Sequence, residues 1–358
     1  MQRAGKAFFP LDEQLELADG RYSEGLLKEM TWLSGVMKSY AVAEEAFARI
    51  GHLYVSDSSI WRRAQTWGEA FKDIEDKQVN STNVLPGGRE SQGGLIKSGG
   101  RQGVAMDGGM VYIRQEGWKE LKAGCVFDVE IQPTKDAITG DVIDLAHAVH
   151  NSYTAHLGGP ERFGQQVWAE AKQRGWESAS ETEVVGDGAP WIWNLVIDHF
   201  YDSLQIVDWY HACEHLATAA RILNGEGTAA AAHWLKEHKL LLFQGHAEQI
   251  VQHLQQAAQE QPNLAEELEK EAGYFENNKN RMNYQEMREN GFVIGSGMVE
   301  SGEKQFKARF CGPGMRWSRS GAEMLIPIRA VILSRRFDAV WHTAYHLHSS
   351  QRLKQAVA

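Results

Sequence analysis

Between Pro86 and Gly103 the chain reads PGGRESQGGLIKSGGRQG, and the apolar pattern differs on its two sides. A run this rich in Gly and Ser offers little to bury and reads as a flexible linker. Before it, residues 23–85 carry apolar side chains at helical spacing, in runs of about 40–50 and 57–71. Gly51 and the Ser56-Asp57 pair supply a turn and an N-cap between those runs. Two short helices with a tight joint outline a helix-turn-helix, with Arg62 and Arg63 placed as on a recognition helix. Any helical hairpin gives the same outline.

After the linker the period changes. VAMD (104–107), MVYIR (110–114) and LKAGCVFDVEI (121–131) read as consecutive short strands in hairpin order. A helix of about 159–174 closes at Gly175. Then come a strand (182–187), a helix from about Pro190 and a strand (204–208). Residues 209–290 are almost purely helical, and a further helix of about 297–310 follows Gly295-Ser296-Gly297. Hairpin strands followed by alternating strands and helices specify a mixed α/β sheet, in the order of a ribonuclease H-like fold. The expected organisation is a helical region (1–85), the linker (86–103), a catalytic domain (104–345) with an all-α insertion at about 212–290, and a tail (346–358). Gly88 and Gly93 have the first spacing of a phosphate-binding loop, but Gly94 stands where lysine must be.

The 358 residues suffice for two or three domains. No stretch approaches the roughly 18 apolar residues of a membrane helix, so no membrane partner is expected. The N-terminus lacks the apolar core of a secretory signal, so a cytoplasmic location is expected. Cys125, Cys213 and Cys311 lie too far apart for a CxxC metal site, and nothing supplies cysteine to a zinc site at His147, His150 and His156. The net charge of −10 argues against a basic coat protein. It is unevenly spread. Residues 303–336 hold eight Lys and Arg against two Glu, a net of +6, which leaves −16 on the other 324 residues. Such a basic stretch suits an anionic partner, although scattered Arg on a solvated helix face would read the same way.

Three acids fall where chemistry is possible. Asp107 ends the first strand, Asp187 ends TEVVGD, and Glu300 lies in the first turns of the helix after Ser296. Acids at strand ends and helix starts converge at one edge of an α/β sheet. Magnesium takes one or two carboxylates plus waters and phosphate oxygens, and a pair of ions clamps a phosphoryl transfer. Plainer readings stay open: a hairpin turn at Asp107-Gly108-Gly109, helix caps at Asp187 and Asp208, and a Glu300–Lys304 surface ion pair. If functional, Asp208 and His211 would orient the acids rather than bind metal themselves.

Four motifs, in order, resemble a known group. MDGG (106–109), VVGDGAPWIWNL (184–195), IVDWYHACEHL (206–216) and GFVIGSGMVES with GMRWSRSGAEMLIPIRA (291–301, 314–330) look like bacterial insertion-sequence transposases of the ISKra group, within the Mutator-like DDE class. The resemblance covers roughly 100–345 and extends more weakly to FFPLDEQLEL. It implies that Asp107, Asp187 and Glu300 are the catalytic acids, holding two Mg²⁺ with Mn²⁺ able to substitute. It implies that Asp208 and His211 are the D-x-x-H pair. It implies double-stranded DNA, both element ends and target, as partner, with a homodimer or higher assembly on it. The expected DNA contacts are Arg62, Arg63, Lys304, Lys307, Arg309, Arg316 and Arg319. Members usually begin with a Cys-rich segment, and no cysteine precedes Cys125 here. That departure keeps open a catalytically silent or host-adopted DNA-binding protein.

Overall fold

The computed structural model describes residues 22–82, 99–135 and 140–357, with side chains as far as His348. FFPLDEQLEL and most of the linker lie outside the described residues. The chain forms helices α1 (Glu24–Val36), α2 (Tyr40–Ile50) and α3 (Asp57–Thr82), then strands β1 (Arg101–Ile113), β2 (Gly117–Lys135) and β3 (Val142–Leu157). Next come α4 (Pro160–Gln173), β4 (Thr182–Gly186), α5 (Pro190–His199) and β5 (Leu204–Val207). A helical insertion follows: α6 (Trp209–Asn224), α7 (Ala229–Phe243), α8 (Ala247–Glu260), α9 (Ala265–Asn278) and α10 (Tyr284–Glu289). Helices α11 (Gly297–Phe310), α12 (Arg319–Leu333) and α13 (Phe337–Val357) complete the chain.

The five strands form one mixed sheet in the order β3-β2-β1-β4-β5. β1, β2 and β3 are antiparallel neighbours, and β4 and β5 run parallel to β1. The α/β expectation holds, with four corrections. Asp107-Gly108-Gly109 is not a turn, and Asp107 does not end its strand: β1 runs on to Ile113, with Gly108 opposite Lys122 and Gly109 opposite Leu121. The ladder with β2 makes both glycines strand residues, and a side chain is excluded there because a Cβ would meet Glu120 at Gly108 and Glu303 at Gly109. The second correction is β3, which pattern reading missed. It is an edge strand paired only with β2, and its first half is largely exposed, so the alternation that marks a half-buried strand is absent. Third, β1 already begins at Arg101, inside the supposed linker. Fourth, the supposed tail is the end of α13.

The N-terminal helices are joined to the sheet unit by packing. Leu27, Ala64, Trp67 and Phe71 belong to the same continuous core as the strands. The Trp67 ring lies 4.5 Å from Trp341 of α13, centroid to centroid. A second small core holds Met30, Ala43, Phe47, Val55 and Ile60 under the α2–α3 joint. At that joint Glu44 accepts the Asp57 N–H at 3.0 Å, fixing where α3 starts. α3 runs past the apolar stretch of 57–71 to Thr82, with its inner face on α4, α12 and α13.

Gly68 is where α3 and α12 touch most closely: a Cβ there would collide with the Met324 carbonyl. Gly68→Ala is therefore expected to destabilise the fold by about 1–3 kcal/mol through overpacking. Helix propensity alone predicts the opposite sign, a gain of up to about 1 kcal/mol. Urea denaturation distinguishes the two, and a stabilised variant would rule out the close α3–α12 packing.

Candidate active site

Register builds the site. Met106 of β1 pairs with Gly186 of β4, and Gly186 pairs with Val207 of β5. The residue after each is an aspartate: Asp107, Asp187 and Asp208. Neighbouring strands lie about 4.8 Å apart, so the three carboxylates leave the same edge of the sheet side by side. Each is held differently.

Asp208 has no exposed surface. Its Oδ1 accepts the His211 N–H at 2.7 Å, capping α6, and its Oδ2 accepts the Ser296 N–H. Burial pushes its carboxyl up, but the hydrogen bonds from His211 and Ser296 outweigh burial and hold it below the ordinary carboxylate range. His211 answers in the opposite direction. The Asp208 carboxylate raises it to about 9 despite its partial burial.

Asp187 accepts the Ala189 N–H at 2.8 Å, and its carbonyl accepts the Tyr274 hydroxyl at 2.9 Å. The insertion, through α9, thus braces the loop that carries this acid. Gly188 adopts a φ of +102° with the Tyr274 ring beside it, a conformation open to glycine.

Asp107 is the strained member. Burial, and then the charges of Glu303 and Asp187, push its carboxyl up to about 6, against relief from the Gly108 N–H and His211. Glu303 is buried and ion-paired with Lys307. Glu300, one turn earlier on α11, accepts the Ser296 hydroxyl at 3.2 Å and pairs with Lys304 at 3.3 Å.

α11 therefore delivers two glutamates. The ligand atoms of Asp208, His211 and Glu300 lie within 4.8 Å of one another, so this group could hold a metal ion. Binding would release the proton from His211. The acid that presses on Asp107, together with Asp187, is Glu303. Sequence reading had counted Glu303 only as a charge, although its i+3 offset from Glu300 puts it on the same helix face. Asp107, Asp187 and Glu303 offer hard oxygen donors, and a cation beside Asp107 would relieve the pressure that the other two charges put on it. Glu303→Gln is expected to bring Asp107 down from about 6 toward the ordinary carboxylate range, while Glu300→Gln leaves it higher. A carboxyl-carbon NMR titration reads this directly. The reverse order would assign the pressure to Glu300.

Lys122 was also missed. It is buried, pairs with Glu120, and lies 4.8 Å above the Trp191 ring, opposite Gly108. Its signal was a lone lysine inside the apolar run LKAGCVF.

The expected DNA contacts divide sharply. Arg309 is corrected outright. It is 2% exposed, its Nε donates to the Ser34 carbonyl at 2.8 Å, and its guanidinium sits against the Tyr40 and Trp317 rings. It anchors α1 to α11 and is closed to a phosphate. Arg319 forms ion pairs with Glu116 and Glu323, so much of its charge is already answered. Lys304 and Lys307 pair with the two site glutamates. Arg63 is half-buried, whereas Arg62 and Arg316 are exposed. Trp193 and Trp209 are core residues. Among the described residues no helix is long and apolar enough to cross a membrane.

No protein-family model matches the chain, and no curated protein matches it.

Proposed function

We propose that the chain is a transposase of the DDE class, cutting DNA at the ends of an insertion sequence and joining the freed 3′ ends to a target. One arrangement supports it above all: an aspartate one residue past the paired end of each of the three parallel strands, with α11 bringing glutamates to the same edge. The strand order β3-β2-β1-β4-β5 and its antiparallel-then-parallel pairing favour a ribonuclease H-like fold, in which that edge is the catalytic one.

Asp107 and Asp187, with Glu303 and Glu300 from α11, would hold two Mg²⁺ or Mn²⁺ ions. Bound there, the ions supply Lewis-acid stabilisation of charge on the transferring phosphate. The protein's own part is positional. The pairing of β1 and β4 sets the spacing of the two aspartates, and Tyr274 holds the Asp187 loop. With the ions on Asp107, Asp187 and the α11 glutamates rather than on His211, Asp208 keeps His211 oriented and charged beside Asp107, where an imidazolium can steady a phosphate oxygen. Asp107 and Asp187 are partly open rather than sealed, which a DNA backbone requires. Two element ends must meet for joining, so the active assembly is a dimer or larger.

The test uses DNA flanking the gene as substrate, with a plasmid target and Mg²⁺. Element 3′ ends covalently linked to the plasmid are expected. Cleavage without joining would make the chain a nuclease, and binding without cleavage would make it a silent copy.

A further inference from the structure

A cleft of about 400 Å³ opens between the N-terminal helices and the segment Met315–Ser318. Lys38, Arg114, Arg309 and Arg316 line it, and among the described residues no carboxylate does. Elsewhere in the basic C-terminal region Lys304, Lys307, Arg319 and Arg336 each have a glutamate. Lys38, Arg114 and Arg316 are exposed and have no ion-pair partner among the described residues. Beneath them the buried guanidinium of Arg309 meets the Ser34 and Lys38 carbonyls and the Tyr40 and Trp317 rings, and among the described residues its Nη2 has no hydrogen-bond partner. A buried cation without a counter-ion leaves its positive potential to act on whatever enters the cleft.

The walls also carry ring surface. Trp61, 46% exposed, stands at the start of α3, and Tyr40 opens α2. The volume far exceeds a lone phosphate, and the flat apolar walls call for a flat apolar group beside the anion. The cleft is tied to the active site. The Arg114 N–H donates to the Trp317 carbonyl at 2.7 Å, so the cleft hangs from the end of the strand that carries Asp107. Six strand residues span about 20 Å, or about six base steps of DNA at 3.4 Å each.

We propose that this cleft binds one unpaired nucleotide of the DNA, its phosphate held by Lys38, Arg114 and Arg316 and its base stacked on Trp61. The proposal rests on the DNA reading for the source of the nucleotide. Stacking on an aromatic side chain accepts any base, so the cleft recognises an open strand rather than a sequence.

The experiment measures binding of the full chain, without divalent metal, to two DNAs of equal duplex length. One is blunt; the other ends in a short single-stranded overhang containing 2-aminopurine. Trp61→Leu and Arg316→Ala change exposed side chains and should fold. Each is expected to weaken overhang binding about tenfold, with Trp61→Leu leaving the blunt duplex unchanged and Arg316→Ala costing the overhang more than the blunt duplex. Quenching of 2-aminopurine should disappear in Trp61→Leu, and the salt slope of overhang binding should fall by about 1 in Arg316→Ala. Equal losses on both DNAs, or no loss on either, would overturn the subsite. So would displacement of the overhang DNA by free deoxynucleoside monophosphate at a matching concentration, which would mark a free-nucleotide site. Strand joining that persists with indifferent cleft variants overturns the subsite alone. A parent chain that binds neither DNA overturns the subsite and the DNA reading together.

Discussion

Asp107→Asn is expected to lower Mg²⁺-dependent strand cleavage by about 10³-fold while leaving the protein at least as stable as the parent. The two halves of this result have one cause. Asp107 is held against Glu303 and Asp187 in partly buried surroundings that push its carboxyl up to about 6. Near pH 7 the folded chain therefore carries an anion it would hold more easily if neutral. Asparagine keeps the shape and the oxygen that accepts the Gly108 N–H, and removes the repulsion. The gain is at most about 1–2 kcal/mol once solvent screening is allowed for. A structural aspartate behaves in the opposite way, losing stability on neutralisation. Cleavage assays and thermal unfolding on the same preparations check both halves. Retained cleavage would remove Asp107 from the catalytic set, and a lowered melting temperature would show that its charge serves the fold.

The second large effect concerns stability alone. Glu183, the second residue of β4, is buried, and both its carboxylate oxygens face the Val293 N–H, at 3.1 and 3.3 Å. Burial raises it from 4.5 to about 8. The folded value exceeds the unfolded one, so its stabilising contribution is complete below about pH 4.5 and is lost as pH rises toward 8. Each pH step within that window is worth at most about 1.4 kcal/mol, and the total is on the order of a few kcal/mol. Glu183→Gln, a neutral near-isostere, should remove this slope. Urea denaturation at pH 5, 6, 7 and 8 should show the parent weakening relative to the variant across the window. Parallel curves would mean that Glu183 folds as an anion, with Arg101 compensating it more fully than burial opposes it.

How far the fold was legible depended on whether local chemistry and tertiary pairing agreed. β4 and β5 are short, apolar and closed by aspartate, and their ends were read within one residue. α11 begins where the Gly-Ser-Gly signal put it. Asp107-Gly108-Gly109 misled because its turn chemistry is real but is overridden by a ladder with β2 that continues through both glycines. β3 was invisible because an edge strand need not alternate. At the site, Asp187 and Asp208 were legible as acids closing their strands, whereas Asp107 lies inside β1; α11 carries two glutamates on one face, and only the fold shows which presses on Asp107. Charge counting failed at Arg309 for the same reason. A sum over residues 303–336 cannot know that one guanidinium is buried under Trp317 while Arg316, seven residues on, faces an open cleft.

The carboxylate of Asp208 also bears on how this architecture can change. One oxygen grips the first turn of α6 and the other grips Ser296, 88 residues later. Everything between them is an excursion with a knotted neck. Lengthening its exposed turns alters chain entropy only slowly and does not disturb the spacing of the sheet-edge acids, provided Tyr274 still reaches Asp187. The exposed turn Gly225–Thr228 is thus a place where the chain can take up added residues while the aspartates of the sheet keep their positions.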